Sequence, residues 1–191
     1  MVTALRANIG IAHTWGSTAA ERAAPFPCDA RFPDTDEALF RALDVAAPAP
    51  LVFRWLCQLR AAPYSYDWLD NGGRRSPRRL TPGSDKLAPG QRFMFIFRLV
   101  AFARDEHLTL MLGGPGAVLF GEAAITYRVI AVDDARSRIV VKLLLRYPFW
   151  GRWRVLRTLF AWGDLIMMRK QLRTLGGLAE RMARREASAR R

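Results

Sequence analysis

One segment constrains the fold of this chain more than any other: residues 41–59, RALDVAAPAPLVFRWLCQL. Leu43 and Val45 alternate with small or polar neighbours, which is the pattern of a strand with one buried face. Pro48 and Pro50 follow, and proline fits the first turn of a helix, where its missing N–H costs nothing. Apolar residues then recur at helical spacing, at Val52, Phe53, Leu56 and Leu59. The segment therefore predicts a strand that passes directly into a short helix.

The composition indicates one globular domain with a basic surface. The chain has 191 residues, 51% of them hydrophobic, and a formal net charge of +13, so it holds enough apolar sequence to form a core. The excess charge is mostly arginine, concentrated at Arg74–Arg79 and after residue 150. Such a bias often reflects genomic base composition, and the basic run lacks the interleaved aromatic residues of a nucleic-acid-binding segment. We therefore expect no nucleic-acid partner.

Cysteine use and hydropathy indicate the compartment. Cys57 lies inside the predicted helix as a small hydrophobe, and Cys28 is the only other cysteine. We expect both to be unpaired thiols, which is typical of the reducing cytosol. The first residues lack the pattern of a signal peptide, and the longest weakly charged stretch, Val155–Met168, is too short to cross a bilayer. A cytoplasmic protein is expected.

Strand patterns and a long helix fill the rest of the chain. We predict a first strand over Ala38–Ala46, a helix over Ala49–Arg60 and a connector over Ala61–Pro89. Alternating apolar and polar residues predict four more strands, at Gln91–Arg104, His107–Leu112, Glu122–Val132 and Arg138–Tyr147. Their charged faces indicate an antiparallel sheet with one solvated side. Trp150–Arg185 is predicted to be helical, with a bend or break near Gly163 or Gly176–Gly177.

This order of elements resembles the START-like, or SRPBCC, superfamily of polyketide cyclases and lipid-transport proteins. The sharpest local matches are Val45–Pro48 leading to Val52–Leu56, and Gly90–Phe93 opening the next strand. The resemblance implies an α+β helix-grip fold, in which a curved antiparallel sheet wraps a long C-terminal helix and leaves an apolar cavity between them. The family pattern lies within residues 37–185, while the polar, proline-broken residues 1–36 are expected to be a poorly structured lead-in and residues 186–191 a frayed tail. The resemblance also implies binding, and in some members transport, of an apolar small molecule such as a lipid or polyketide.

Candidate ligand-binding residues come from the aromatic connector, the apolar strand faces and the last helix. They are Tyr64, Tyr66, Trp68, Phe95, Phe97, Tyr127, Leu143, Tyr147, Trp162 and Met167. The connector rings either close a pocket or pin the connector onto the sheet, and we weigh these alternatives equally. The strand and helix residues either line a cavity or fill a core.

Two alternative functions stay open. A cyclase or aromatase on the same fold would use Asp67 or Asp70 with a tyrosine as acid and base. A membrane-peripheral protein would dock through the Trp- and Arg-rich residues 149–157 on anionic lipid, although a packed helix start explains the same pattern. No spacing of histidine, cysteine and carboxylate residues resembles a metal site, so we expect no metal and no cofactor. The oligomeric state is left open.

Overall fold

The computed structural model describes residues 10–113, 117, 121–148 and 153–189. The helices are α1 (Ile11–Thr14), α2 (Ala19–Ala23), α3 (Ala49–Cys57), α4 (Asp67–Asp70) and α5 (Arg154–Ala189). The strands are β1 (Glu37–Val45), β2 (Arg92–Phe93), β3 (Phe97–Ala103), β4 (His107–Leu112), β5 (Glu122–Ala131) and β6 (Ser137–Arg146). Short 3-10 turns at Asp29–Arg31 and Gln58–Arg60 complete the described elements.

The strands form one six-stranded antiparallel sheet in the order β1-β6-β5-β4-β3-β2. Helix α5 lies against one face of it, which we call the inner face, and contacts β1 and α3. The inner face is apolar because every second strand residue points toward the helix, as Ile125, Val141 and Leu143 do. This arrangement confirms the predicted α+β helix-grip fold.

Helix α3 forms where the sequence predicts it. Pro48 is its N-cap residue and Pro50 occupies its first turn, where proline fits without loss of a hydrogen bond. The predicted helix over residues 49–60 is α3 followed by the 3-10 turn at Gln58–Arg60. Its apolar side chains are buried between the sheet and α5, so this segment is part of the core.

The predicted long strand over residues 91–104 is wrong in one respect, because it is two strands. Arg92 pairs with Arg98 and Phe93 with Phe97, so β2 and β3 form a tight hairpin. Met94 and Phe95 turn the chain with φ values of 45° and 64°, a region that residues other than glycine rarely adopt. Phe95 consequently points out of the fold.

Residues 10–36 are ordered, in contrast to the poorly structured lead-in expected there, while residues 1–9 lie outside the described part of the chain. Phe26, Cys28 and Phe32 are buried on the outer face of the sheet, against residues such as Phe40 and Val140. This face is therefore partly apolar and covered, not fully solvated as the strand pattern predicts. The segment has the sequence pattern of an irregular region because its apolar residues have no regular period.

Ionic and backbone contacts also attach this segment to the sheet. Arg138 of β6 pairs with Glu21 of α2 at 2.5 Å, and the Ala42 N–H donates to the Trp15 carbonyl at 2.9 Å. Because β1 is an edge strand of the sheet, this last contact covers part of an otherwise unpaired edge.

Helix α5 is one uninterrupted element of 36 residues. Of the bend or break expected near Gly163 or Gly176–Gly177, a break does not occur, and the helix continues through Ala189 instead of fraying from residue 186. Arg190 and Arg191 lie outside the described residues. Within the described part of the chain, no helix combines the length and apolarity that crossing a bilayer requires.

Both cysteines are free and buried, as the sequence predicts. Burial raises the pKa of Cys28, and it raises the pKa of Cys57 to about 12. Neither thiol is therefore poised to act as a nucleophile.

Candidate functional site

A groove of about 540 Å³ separates the inner face of the sheet from the first half of α5. Its sheet side is formed by Ile96, Phe97, Leu112, Ala123, Leu143, Leu145 and Tyr147. Its helix side is formed by Leu156, Leu159, Phe160, Gly163, Asp164 and Met167. The described lining is thus almost wholly apolar, and Asp164 is the one charged residue among the described residues that form it.

Asp164 forms an ion pair with a buried arginine from β1. Arg41 is 1% exposed, and its Nη2 lies 2.7 Å from Oδ2 of Asp164. The same guanidinium donates to the carbonyls of Phe40 and Ala161. Burial raises the pKa of the Asp164 carboxyl, and the neighbouring Arg41 offsets part of that effect. Asp164 thus supplies the counter-charge that a buried guanidinium requires.

Tyr147 is the second polar group at the groove, and its hydroxyl already has a partner. The hydroxyl donates to Oε2 of Glu37, whose Oε1 lies 2.6 Å from Nε2 of His13. Burial, reinforced by the Glu37 carboxylate, raises the pKa of Tyr147. The tyrosine therefore presents its ring to the groove, while its hydroxyl donates its hydrogen bond to Glu37.

Four of the predicted ligand-binding residues line the groove: Phe97, Leu143, Tyr147 and Met167. The alternation of apolar and polar residues along the strands identifies the first three, because every second side chain of a strand points to the same face of the sheet. Whether they contact a ligand stays a prediction.

Three other candidates from the strands and α5 lie elsewhere. Tyr127 is fully buried in the core, where its hydroxyl donates to Oε1 of Gln171 at 2.8 Å. Phe95 is 61% exposed because of the β2–β3 turn, and Trp162 is 47% exposed on the outer side of α5. None of the three lines the groove.

The connector aromatics divide between core and surface. Tyr64 is buried, Tyr66 is half-buried beside Ile166 of α5, and Trp68 is 73% exposed. The connector reaches the groove only at its edge, where the Ser65 hydroxyl contacts the sulfur of Met167 at 3.8 Å. This arrangement is closer to the pinning alternative than to a pocket closed by aromatic rings.

The candidate acids Asp67 and Asp70 are engaged within the connector. Asp67 accepts hydrogen bonds from the backbone and side chain of Ser76 at 2.9 and 2.5 Å, and Asp70 accepts one from Ser65. Neither lines the groove, so the geometry gives no support to acid–base catalysis there. Among the described residues, no cluster of three or more potential metal ligands occurs.

The sequence does contain a signal for the part of the site that was not predicted. Leu156, Phe160 and Gly163 recur at helical spacing with the predicted Met167, and together they form the groove side of α5. Asp164 is the only acidic residue between positions 154 and 179. A lone carboxylate on an otherwise apolar helix face indicates a buried partner or a ligand, and this pattern was sufficient to single it out.

Exposed apolar side chains form a second feature on α5. Val155, Leu159, Trp162 and Ile166 lie on one side of the helix, each 47% exposed or more. Arg169, Lys170 and Arg173 continue this side and, with Tyr66, line a shallow basic pocket of about 290 Å³. We call these residues together the α5 outer stripe. None of its three basic residues forms an ion pair with another described residue.

Neither the protein-family models nor the curated proteins yield a match to this chain. Among solved structures, norcoclaurine synthase from Thalictrum flavum matches with a TM-score of 0.51 at 12% identity, covering 82% of this chain and 93% of that one. A START superfamily protein from Mycobacterium smegmatis matches with a TM-score of 0.49 at 13% identity, covering 76% of this chain and 98% of that one. An aromatase/cyclase from Streptomyces sp. R1128 matches with a TM-score of 0.45 at 17% identity, covering 76% of this chain and 94% of that one. At these identities the likeness concerns the fold alone, and the chain has an α+β helix-grip fold, with the sheet packed against a long C-terminal helix.

Proposed function

We propose that this protein binds an apolar small molecule, such as a lipid or a polyketide, in the groove between the sheet and α5. The observation that carries the proposal is the groove itself: it has a volume of about 540 Å³, and its described lining is apolar on both sides with one charged residue. Ligand sites are typically concave spaces of roughly 300–1,000 Å³ with mostly apolar walls and few polar groups. A cytoplasmic location is part of the proposal, since both cysteines are free, buried thiols.

A substitution that fills the groove tests the proposal. Gly163 lines the groove, and a Cβ at this position would meet no atom within 4 Å. Gly163→Phe therefore starts its side chain in open space at a position that lines the groove. Gly177→Phe is the matched control, because its Cβ also meets nothing within 4 Å and it lies outside the groove on the same helix.

Two measurements report on these variants. Native mass spectrometry of protein purified from its host detects a retained ligand, and titration with the fluorescent probe N-phenyl-1-naphthylamine measures apolar binding. We expect the wild type and Gly177→Phe to bind both the ligand and the probe. Gly163→Phe should bind the probe at least tenfold more weakly, which corresponds to a loss of about 1.4 kcal/mol in binding free energy. Equal probe binding by all three proteins, with no retained ligand, contradicts the proposal.

Contact with an anionic membrane is a second candidate function, favoured by the α5 outer stripe. Tryptophan and aliphatic side chains on one side of a helix insert at lipid headgroup depth, and adjacent basic residues attract anionic lipid. Trp153, immediately before α5, is 73% exposed and adds a second exposed tryptophan near the stripe in sequence. Of the segment 149–157, residues 149–152 lie outside the described part of the chain. Because Leu159 belongs to both the stripe and the groove, a docked membrane would face the groove opening.

Vesicle sedimentation tests the membrane contact. We expect binding to vesicles that contain phosphatidylglycerol, little binding to phosphatidylcholine alone, and loss of binding at high salt. The double substitution Trp162→Ser and Ile166→Ser abolishes binding in this proposal. Val132→Ser, a change at an equally exposed apolar residue on the β5–β6 turn, leaves it intact. Undiminished binding of the double variant removes the stripe as the contact.

A further inference from the structure

We propose that the groove recognises a ligand with a neutral hydrogen-bond donor, such as a hydroxyl group, on an otherwise apolar body, and that the Asp164 carboxylate accepts that hydrogen bond. The inference rests on the proposed ligand-binding function. It specifies the chemical class of the ligand and the orientation in which the ligand binds, with its donor at Asp164.

The free oxygen of Asp164 supplies the acceptor. Oδ2 accepts a hydrogen bond from Arg41 at 2.7 Å, whereas no described residue donates to Oδ1. The side chain is 21% exposed and lines the groove. A carboxylate oxygen has room for two hydrogen bonds, so a ligand bound in the groove can donate to Oδ1 in place of water.

The charge of the site favours a neutral donor. Arg41 and Asp164 balance each other, and the guanidinium is too deeply buried to meet a ligand, with both Nη atoms donating to protein oxygens. An ammonium group would face the nearby positive charge of Arg41, and a carboxylate would face Asp164. Either would leave an unmatched charge in an apolar site, which is costly.

The other polar group at the groove does not compete for this role. The Tyr147 hydroxyl donates to Glu37 and is turned away from serving as a donor to a ligand. Among the described lining residues, the groove therefore offers a free hydrogen-bond acceptor at Asp164 and apolar surface elsewhere. Burial raises the pKa of Asp164 because the carboxylate is short of hydrogen-bonding solvent, and a ligand hydroxyl would relieve that shortage.

Four probes with the same dodecyl chain separate the possibilities: 1-dodecanol, methyl dodecyl ether, dodecylamine and tridecanoate. Each is titrated against protein carrying N-phenyl-1-naphthylamine. We expect dodecanol to bind about tenfold more tightly than the ether, which lacks the donor, since a hydrogen bond to a charged group has this order of strength. Both charged probes should bind more weakly than the alcohol.

Asp164→Asn gives a readout that a merely structural role would not produce. Because Arg41 requires an acceptor, the new side-chain amide turns its oxygen toward Arg41 and its NH2 group toward the groove. The position that faces the ligand thereby changes from an acceptor into a donor. The preference for alcohol over ether should then fall to near one. Asp133→Asn, on the exposed β5–β6 turn, is the matched control and keeps the preference.

The outcomes separate the inference from the proposed function. Equal binding of alcohol and ether by the wild type, or tighter binding of either charged probe than of the alcohol, overturns the inference alone. An unchanged preference in folded Asp164→Asn overturns it as well. If Asp164→Asn does not fold, the wild-type comparison of alcohol with ether decides. Failure of the fluorescent probe and of all four ligands to bind overturns the proposed function and the inference together.

Discussion

Replacing each of the three glycines of α5 by alanine tests how this helix packs along its length. A Cβ at Gly163 or Gly177 would meet no atom within 4 Å. At Gly176 it would lie 3.2 Å from Cγ2 of Val45 and 3.3 Å from Cδ2 of Leu43, both on β1. The same chemical change therefore enters open space at two positions and a close contact with the sheet at the third.

The expected magnitudes follow from these distances. Glycine in a helix interior is about 1 kcal/mol less favourable than alanine, because it loses more backbone entropy on folding. Gly163→Ala and Gly177→Ala should each raise the free energy of unfolding by about that amount. Gly176→Ala gains the same contribution but forces Val45 and Leu43 to shift, and overpacking of this kind costs about 1–3 kcal/mol. Its net effect should lie between zero and a loss of about 2 kcal/mol.

Thermal unfolding followed by circular dichroism, with a second probe to check two-state behaviour, measures these differences. For a chain of this length, about 1 kcal/mol shifts Tm by roughly 2–4 °C. The protein must be free of ligand, since binding itself raises Tm. If Gly176→Ala raises Tm as much as Gly177→Ala does, the close packing of α5 on β1 is refuted. If neither Gly163→Ala nor Gly177→Ala raises Tm, the helix is not formed around these residues as described.

Three further predictions concern the segment before β1 and the buried thiols. The hydrogen bond and charge of Arg138 lower the pKa of Glu21 from 4.5 to about 2. The pair therefore stabilises the fold above pH 4.5, and that stability is lost as the pH falls toward 2. In an acid titration, the free energy of unfolding of Glu21→Gln should decline less steeply over this range than that of the wild type. Gly16→Ala should expose residues 10–36 to limited proteolysis, because its Cβ would clash with the Ala42 carbonyl oxygen; unchanged resistance contradicts the docking of this segment. Cys57 should resist alkylation at about pH 8 until the protein unfolds, because burial raises its pKa to about 12, and rapid alkylation of the native protein contradicts that burial.

The main strands and α3 were predictable because each has a local signal that its surroundings reinforce. β4 begins and ends where alternation places it, at His107 and Leu112. The β2–β3 hairpin was not predictable in this way, since Met94 and Phe95 carry no turn signal and adopt positive φ only in the folded chain. Tertiary contacts fix that turn, among them the hydrogen bond from the Met94 N–H to the Leu59 carbonyl at 2.8 Å.

In the candidate site, too, some residues were predictable from local sequence pattern and others depend on tertiary packing. Phe97, Leu143 and Tyr147 follow from alternation, which assigns a face to each strand residue. Alternation does not tell which inward residues meet a helix and which meet open space, because that depends on how far α5 lies from the sheet at each level. Tyr127 and Leu143 share the inner face, yet Tyr127 is sealed in the core and only Leu143 lines the groove.

The shifting polar face of α5 has a physical explanation other than a broken helix. In its second half, Leu172, Leu175 and Ala179 are buried in the core, so one conventional apolar face suffices there. In its first half, apolar side chains point into three different surroundings. Leu165 is buried in the core, Phe160 lines the groove, and Trp162 lies on the exposed outer side. A helix with a single apolar face would fill or close the space beside it. The additional apolar residues around the first half of α5 therefore correspond to the groove and to the exposed stripe. Both features lie on the same continuous helix.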